Sequence, residues 1–469
     1  MTKDTVLIYR CEEYDVQKLE EIIVEGMKRL NFTPKGKTLI KANEVAGFYK
    51  RRFFQHSNTE PEVLDAFIRA IKSNDIDTSN MEELYLGGKA GVKMPTRYTL
   101  KVSGLLDVLK SHKVKAKPFD EFPEKEIMLL NGVVHQTLKI PTPLYNADTL
   151  ICLPRLKANP FSTISATLKM NIGMLNDKER MIGHDYRLQE KIVDVLEVAN
   201  YDFVAADAVV CGASNMLVPE PYRLGAIVMG TNSLAVDSVL SNGVSKNPRE
   251  IEHLLIANKR GYGPIDLQDI RLGGNMSFQE FRERGAEFKT DMRHIDSVES
   301  NISFYSGGCH ISNPNDYCYG GCPGAFKVGL EISEVIKPET HHKVKPMHIV
   351  FGHYRGDIVT EGREPIIFVG KDKTYKGKIN GKYVELNTSE STKTLRRQSE
   401  CNRLFVERKC PPTVIDVFFL MQRHGGMFNI GNPFTSVNNW PGALEYARDY
   451  LISKFMYGKN SLQEMISSD

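Results

Sequence analysis

The chain is 469 residues long, with 61 Lys+Arg against 58 Asp+Glu for a formal net charge of +3, and it is 41% hydrophobic and 25% charged. That composition excludes a disordered chain and a coiled coil, and a near-neutral charge without a dense Lys/Arg block excludes nucleic acid as the main partner. No apolar run approaches the roughly 18 residues of a membrane span, and the opening MTKDTVLIYRCEEYD has acids where a signal peptide is apolar. The expectation is a cytoplasmic protein with no membrane partner.

Thr5–Arg10 is a strand, and Asp15 caps a helix whose apolar residues Val16, Leu19, Ile22, Ile23, Met27 and Leu30 recur at helical spacing. Thr38–Ala42 is a second strand. Thr59-Glu60-Pro61-Glu62 has the pattern of a capping box opening a helix. Glu83–Leu86 runs into Gly87-Gly88 as a strand, Leu100–Ser111 is helical, and Thr149–Leu153 is an apolar strand. Arg187–Ala199 is a helix, followed by strands over Phe203–Ala206 and Leu224–Met229. Near-continuous apolar strands separated by amphipathic helices predict an α/β fold with a mostly parallel, doubly wound sheet over residues 1–275.

Residues 276–469 read as a polar connector, to about 315, and a smaller C-terminal α+β domain that holds the cysteines. Met347–Phe351 and Pro365–Val369 are short strands there, Asn380-Gly381 marks a hairpin, and Thr413–Met421 is a buried helix.

Five of the eight cysteines fall in this last third. Cys309, Cys318 and Cys322, with Gly320-Gly321 between the last two, are followed much later by Cys410-Pro411-Pro412. Clustered thiolates in a reducing compartment suit an iron–sulfur cluster or zinc, and a Cys-Pro step recurs in ferredoxin-type ligand runs. The candidate ligands are Cys309, Cys318, Cys322 and Cys410, with Cys401 as the spare. An iron–sulfur cluster of the 4Fe–4S type leads, zinc is the alternative, and buried thiols without metal remain open.

A second constellation is cationic and amide-rich, at predicted strand ends. Lys41 and Asn43 follow the second strand, Arg155 and Lys157 follow Thr149–Leu153, and Lys169, Asn171 and His184 come next. Ligands of open α/β sheets bind at the carboxyl ends of strands, and Lys, Arg and Asn suit a carboxylate, phosphate or phosphonate. Lys41, Asn43, Arg155 and Asn171 are the expected substrate binders. Lys157, Lys169, His184 and Asp207, placed just after the strand Phe203–Ala206, are the expected catalytic groups. For a single lysine the alternative is a solvated surface charge. Asp237 is read as structural. No dinucleotide or phosphate-loop glycine pattern occurs, nor any GxSxG, HExxH or CxxC.

Ile40-Lys41-Ala42-Asn43, Leu153–Asn159, Leu168–Gly173 and Ala235-Val236-Asp237 together resemble the motifs of the family catalogued as domain of unknown function three-six-two, over about residues 36–275. The resemblance implies the α/β fold and iron–sulfur ligand cysteines near the C-terminus, similar to Cys318–Cys322 and Cys410-Pro411-Pro412 here. Arg155 stands where that family usually has Lys, and Asn159 where it has His. The missing C-x2-C repeats imply a single cluster.

The function expected is an iron–sulfur enzyme acting on a small anionic substrate, either a lyase or dehydratase with one open iron, or an oxidoreductase with four cysteine ligands. The alternatives are a non-catalytic electron carrier, or a structural-zinc protein with an independent α/β active site. An electron donor and a second copy of the chain are the further partners considered.

Overall fold

The computed structural model describes residues 4–47, 54–310, 317–427 and 440–467. The chain divides into two compact units. One comprises residues 1–182, 189–291 and 441–469, and the other residues 183–188 and 292–440.

The first unit is built on a sheet of ten strands: β1 (Asp4–Arg10), β2 (Gly36–Ala42), β3 (Met81–Gly88), β4 (Lys115–Pro118), and, after the separate hairpin β5 (Glu124–Met128) and β6 (Thr137–Pro141), β7 (Thr149–Leu153), β8 (Arg155–Asn159), β9 (Thr163–Ser165), β10 (Phe203–Ala213), β11 (Glu220–Gly230) and β12 (Ile270–Gly274). Its main path runs β12-β1-β11-β10-β7-β2-β3-β4, with β8 and β9 attached beyond β10. Pairing is mostly parallel, and β11 runs antiparallel to both β1 and β10. The α/β expectation is met.

Burial explains why these segments fold this way. Leu7, Ile40, Leu86, Ile151, Phe203 and Ile227 of the strands form one apolar cluster with Leu19 and Ile23 of helix Val16–Arg29 and Leu64 and Phe67 of helix Pro61–Lys72. Helix Ser233–Gly243 packs against β11, where a Cβ on Gly230 would lie 2.7 Å from Val236 Cγ2. Asp15 caps its helix as expected, accepting from the Gln17 and Lys18 amides.

Several expectations are corrected. Helix Pro61–Lys72 has no side-chain cap, because Thr59 donates to Leu153 O and Glu60 pairs with Arg155. The single helix over Leu100–Ser111 is instead two, Thr96–Ser103 and Leu105–Ser111, broken where Gly104 adopts φ 87°. Asp207 lies inside β10, which continues to Ala213 instead of stopping at Ala206. The unit boundary falls after Asp291, not at 275, because β12 pairs with β1 and helix Phe278–Arg284 buries Phe281 against Gly243. The expected connector thus holds regular structure, although its residues 311–316 lie outside the described residues.

The second unit has a four-stranded, all-parallel sheet ordered β13 (Ile302–Ser306), β14 (Met347–Phe351), β16 (Ile366–Val369), β19 (Leu404–Glu407). A smaller sheet joins β15 (Tyr354–Arg355) to the hairpin β17 (Thr374–Ile379) and β18 (Lys382–Asn387), which turns on Asn380 and Gly381, both at positive φ. Helix Val414–Gly425 begins with a Thr413/Asp416 capping box and packs on helix Cys322–Ile336, where Gly329 lets Val417 approach.

Candidate functional site

In the first unit the register of the sheet assembles a buried ionic cluster. Pro154 separates β7 from β8, and its carbonyl accepts from the Asp207 amide. Arg155 then sits opposite Asp207 in the β8–β10 pairing. Its guanidinium reaches Asp207 at 3.3 Å and Glu60 at 3.0 Å, and donates to Tyr14 Oη and to the carbonyls of Gln55 and Asn58. Arg155 and Asp207 are fully buried. Burial lifts the Asp207 carboxyl to about 6 against the pull of Arg155, while Asp207, Tyr14 and Glu60 outweigh desolvation and hold Arg155 cationic. Arg155 is thus committed to protein partners. Asn43, expected beside it, accepts from the Arg155 amide through Oδ1 and is likewise a brace.

The lysines differ in how far they are compensated. Lys41, at the end of β2, pairs with Glu44 at 2.5 Å and donates to the Ala42 carbonyl. Gly88 and Gly173 press against this pair: a Cβ on Gly88 would lie 1.7 Å from Glu44 Oε1, and one on Gly173 2.9 Å from Lys41 Cε. Lys157, in β8, is buried and donates to the Ser57 carbonyl at 2.6 Å. Lys169, in the 3-10 helix Leu168–Met174, lies 5.8 Å from the Phe161 ring centre. Among the described residues neither Lys157 nor Lys169 has a carboxylate within 4.0 Å. Burial, then the charges of Arg155, Lys169 and Lys41, pushes Lys157 down to about 7. Burial and Arg180 push Lys169 down to about 8. Asn171 is fully buried with its Oδ1 unpartnered.

Lys41, Arg155, Lys157 and Lys169 therefore stand close enough for their charges to act on one another. They are enclosed within the unit instead of lining the open crevice expected at strand ends. Asp237, from helix Ser233–Gly243, accepts from the Thr167 and Leu168 amides and so anchors the start of the segment bearing Lys169 and Asn171. Its structural reading holds.

Sequence reasoning missed His253 and Gln189. Gln189 Nε2 donates to the Phe161 carbonyl at 2.7 Å, which turns its Oε1 toward His253 Nδ1 at 3.0 Å and assigns the proton to Nδ1. Burial and the Lys169 charge push His253 down to about 3, so the imidazole is neutral. No spacing rule links these residues to Lys169. Arg180 is also buried here, donating to the carbonyls of Lys89, Ala90, Ile172 and Leu175.

His184, expected among the lysines, belongs to the second unit. Its Nδ1 donates to the Gly320 carbonyl at 2.8 Å, and so it braces the turn between two cysteines.

That turn is the centre of the second candidate site. Cys309 and Cys318 lie near enough for one thiol to perturb the ionisation of the other, as do Cys322 and Cys410, and the charge of Cys309 also acts on Cys322. The four sequence-predicted cysteines are therefore neighbours in space, although 101 residues separate the first from the last. The Cys309 thiol, then burial, raises Cys318. The Cys410 thiol, then burial, raises Cys322. Cys410 is lowered to about 7, first by the Cys322 thiol and then, against burial, by Lys373 and Arg187. All eight cysteines are free thiols. A Cβ on Gly321 would fall 2.5 Å from Cys318 Sγ, so bare backbone faces the thiol there. Lys373 donates to the Cys309 carbonyl at 2.8 Å. Cys401 packs against the separate apolar core around Ile366, Phe368 and Leu404.

Soft sulfur donors around a glycine turn are the ligand chemistry that an iron–sulfur cluster takes. Among the described residues no three His, Cys, Asp or Glu side chains are placed to hold a single metal ion, and no helix is long and apolar enough to cross a membrane.

No curated protein matches the chain. Among solved structures it is similar to the lactate racemase apoprotein from Thermoanaerobacterium thermosaccharolyticum, at 11% identity and a TM-score of 0.34, over 75% of this chain and 69% of that one. It is similar also to a Thermotoga maritima protein of known crystal structure, at 11% identity and a TM-score of 0.35, over 74% and 73%. Residues 38–242, which hold all the buried lysines and arginines named above, match the family described as Domain of unknown function (DUF362).

Proposed function

We propose that the protein is an iron–sulfur enzyme that carries out oxidoreduction on a small anionic substrate, a carboxylate, phosphate or phosphonate. The observation that carries the reading is the cysteine quartet: Cys309, Cys318, Cys322 and Cys410 meet around a glycine turn braced by His184. A 4Fe–4S cluster held by these four would supply one-electron transfer. Four thiolate ligands leave no iron open to substrate, which favours the oxidoreductase form over the lyase form. Zinc is the weaker fit, since among the described residues no three His, Cys, Asp or Glu side chains are placed to hold a single ion.

The substrate side rests on Lys157 and Lys169. Two buried amines without a carboxylate partner are costly when charged, and a bound anion offsets that cost. Bound between them, an anion is held by charge-assisted hydrogen bonds in a site that excludes water. Lys157, poised between its charged and neutral forms, is the group that holds or releases a proton at the substrate. A pure electron carrier has no use for such lysines.

Anaerobic purification, iron and sulfide analysis and EPR after reduction test the reading. We expect about four irons and four sulfides per chain and a reduced-state signal, both lost in Cys318→Ser. Lys157→Ala should keep the cluster and lose anion binding. A colourless protein carrying zinc, or none of these metals, would refute the iron–sulfur reading.

A further inference from the structure

The C-terminal helix Trp440–Ser467 is docked by one face only. Tyr446 packs edge-on against Tyr98 and donates to the Lys93 carbonyl, and Glu445 pairs with Lys101 at 3.0 Å. Ser453 and Asn460 donate to the side chain and backbone carbonyl of Glu121. The opposite face is bare. Leu444, Leu451, Phe455, Leu462 and Met465 are each between 62% and 72% exposed. The spacing of seven, four and seven residues from Leu444 to Leu462 puts these four on one stripe of the helix. Isolated exposed leucines need no explanation, but a continuous stripe does. Together the five side chains expose on the order of 700 Å², close to the roughly 800 Å² that each partner gives to a standard interface.

The stripe also carries its own complement. Leu444 and Leu462 lie nine residues either side of Ser453, Leu451 and Phe455 two residues either side, and Arg448 and Gly458 five residues either side. A two-fold axis at the level of Ser453, relating two antiparallel helices, therefore sets Leu444 against the partner's Leu462 and Leu451 against the partner's Phe455. Each Arg448 stem crosses the partner's Gly458, where nothing lies within 4 Å of the position a Cβ would take. Self-complementarity of this kind is what an isologous interface requires. The flanking cations Lys454 and Lys459 fall opposite Ile452 and Ala447, so like charges do not meet.

We infer that this stripe is a homodimer interface: two copies of the chain pair antiparallel through their Trp440–Ser467 helices, with the two-fold axis at Ser453. The pairing buries seven-residue-spaced leucines and the one phenylalanine against their symmetry mates, and it leaves the face docked on Tyr98 and Glu121 untouched.

Light scattering on the full chain after size exclusion, at micromolar concentration, tests the inference. The unaltered protein should show twice the 53.0 kDa chain mass. Leu451→Glu and Phe455→Lys should each give a folded monomer, with the circular dichroism spectrum unchanged because both positions are exposed on the single chain. Mixing the two variants in equal amounts should restore the dimer, since Glu at 451 then faces Lys at 455 across the axis. A monomeric unaltered protein, or a dimer indifferent to Leu451→Glu, would overturn the inference. Single-variant monomers that fail to recombine on mixing would overturn the antiparallel register.

Discussion

A lysine moved from 10.5 to about 7 changes what binding means at that residue. Lys157 owes the shift first to burial and then to Arg155, Lys169 and Lys41. Because its folded value is depressed, the folded protein binds fewer protons here than the unfolded chain between about pH 7 and 10.5. The residue therefore costs stability as pH falls through that window. An anion at the amine reverses the balance, since it favours the ammonium and raises the value again. Anion binding near pH 8 should thus take up a proton, and affinity should strengthen as pH falls from about 8 to 7, then level off. Calorimetric titration in two buffers of different ionisation enthalpy reads the proton directly. Lys157→Met should abolish most of the uptake, and uptake undiminished in that variant would assign the proton elsewhere. The sequence made Lys157 visible as a candidate, because a lysine follows an apolar strand in a motif-bearing segment. It gave no sign of the missing counter-charge, which depends on what the fold brings within reach. Arg155 looked the same in sequence and is spent on Asp207 and Glu60, a pairing set by the register of β8 on β10.

At the scale of elements, the short 3-10 helix Leu168–Met174 is the weakest-looking piece of the site, and yet it carries both Lys169 and Asn171. Helices this short do not stand on propensity. What anchors this one is Asp237, whose two carboxylate oxygens accept from the Thr167 and Leu168 amides at 2.7 and 2.8 Å. Asp237→Ala leaves two buried donors unmet and should cost about 2–4 kcal/mol in denaturant unfolding. Asp237→Asn keeps one acceptor oxygen and should recover roughly half of that loss. Equal losses in the two variants would show that charge, not acceptance, anchors the segment. The helices and strands themselves were largely legible, since periodicity reports burial and burial is what these elements share. The capping-box pattern at Thr59–Glu62 misled because the same side chains had stronger claims on them, Thr59 from the Leu153 carbonyl and Glu60 from Arg155. Likewise Gly104 broke a helix that apolar spacing alone ran straight through.

For the whole molecule, the division into units was only partly readable, because chain order and spatial membership differ. Residues 183–188 leave the α/β unit to join the cysteine unit, and residues 441–469 return from the far end to join the first. Composition cannot reveal such exchanges, since a short segment's allegiance rests on a few contacts, such as Gly320 lying where a Cβ would meet the Asp185 carbonyl at 2.2 Å. The proximity of the four cysteines was legible for the opposite reason: they were read together by their shared thiol chemistry and not by their place in the chain. Cys309 follows β13, Cys322 starts helix Cys322–Ile336, and Cys410 precedes helix Val414–Gly425, so a cluster on this quartet ties a strand and two packed helices together. The free energy of holding it then becomes stability of the cysteine unit, while the α/β unit keeps a separate apolar core around Phe67 and Phe203. Anaerobic calorimetry should accordingly resolve two transitions. Removing the metal should lower one of them by on the order of 10 °C, given about 2–4 °C per kcal/mol for a unit of this size. The same transition should fall in Cys318→Ser, and the other should fall in Asp237→Ala. A single transition, or a metal-dependent shift of both by the same amount, would mean that the two units do not unfold independently and that the cluster's contribution is shared across the chain.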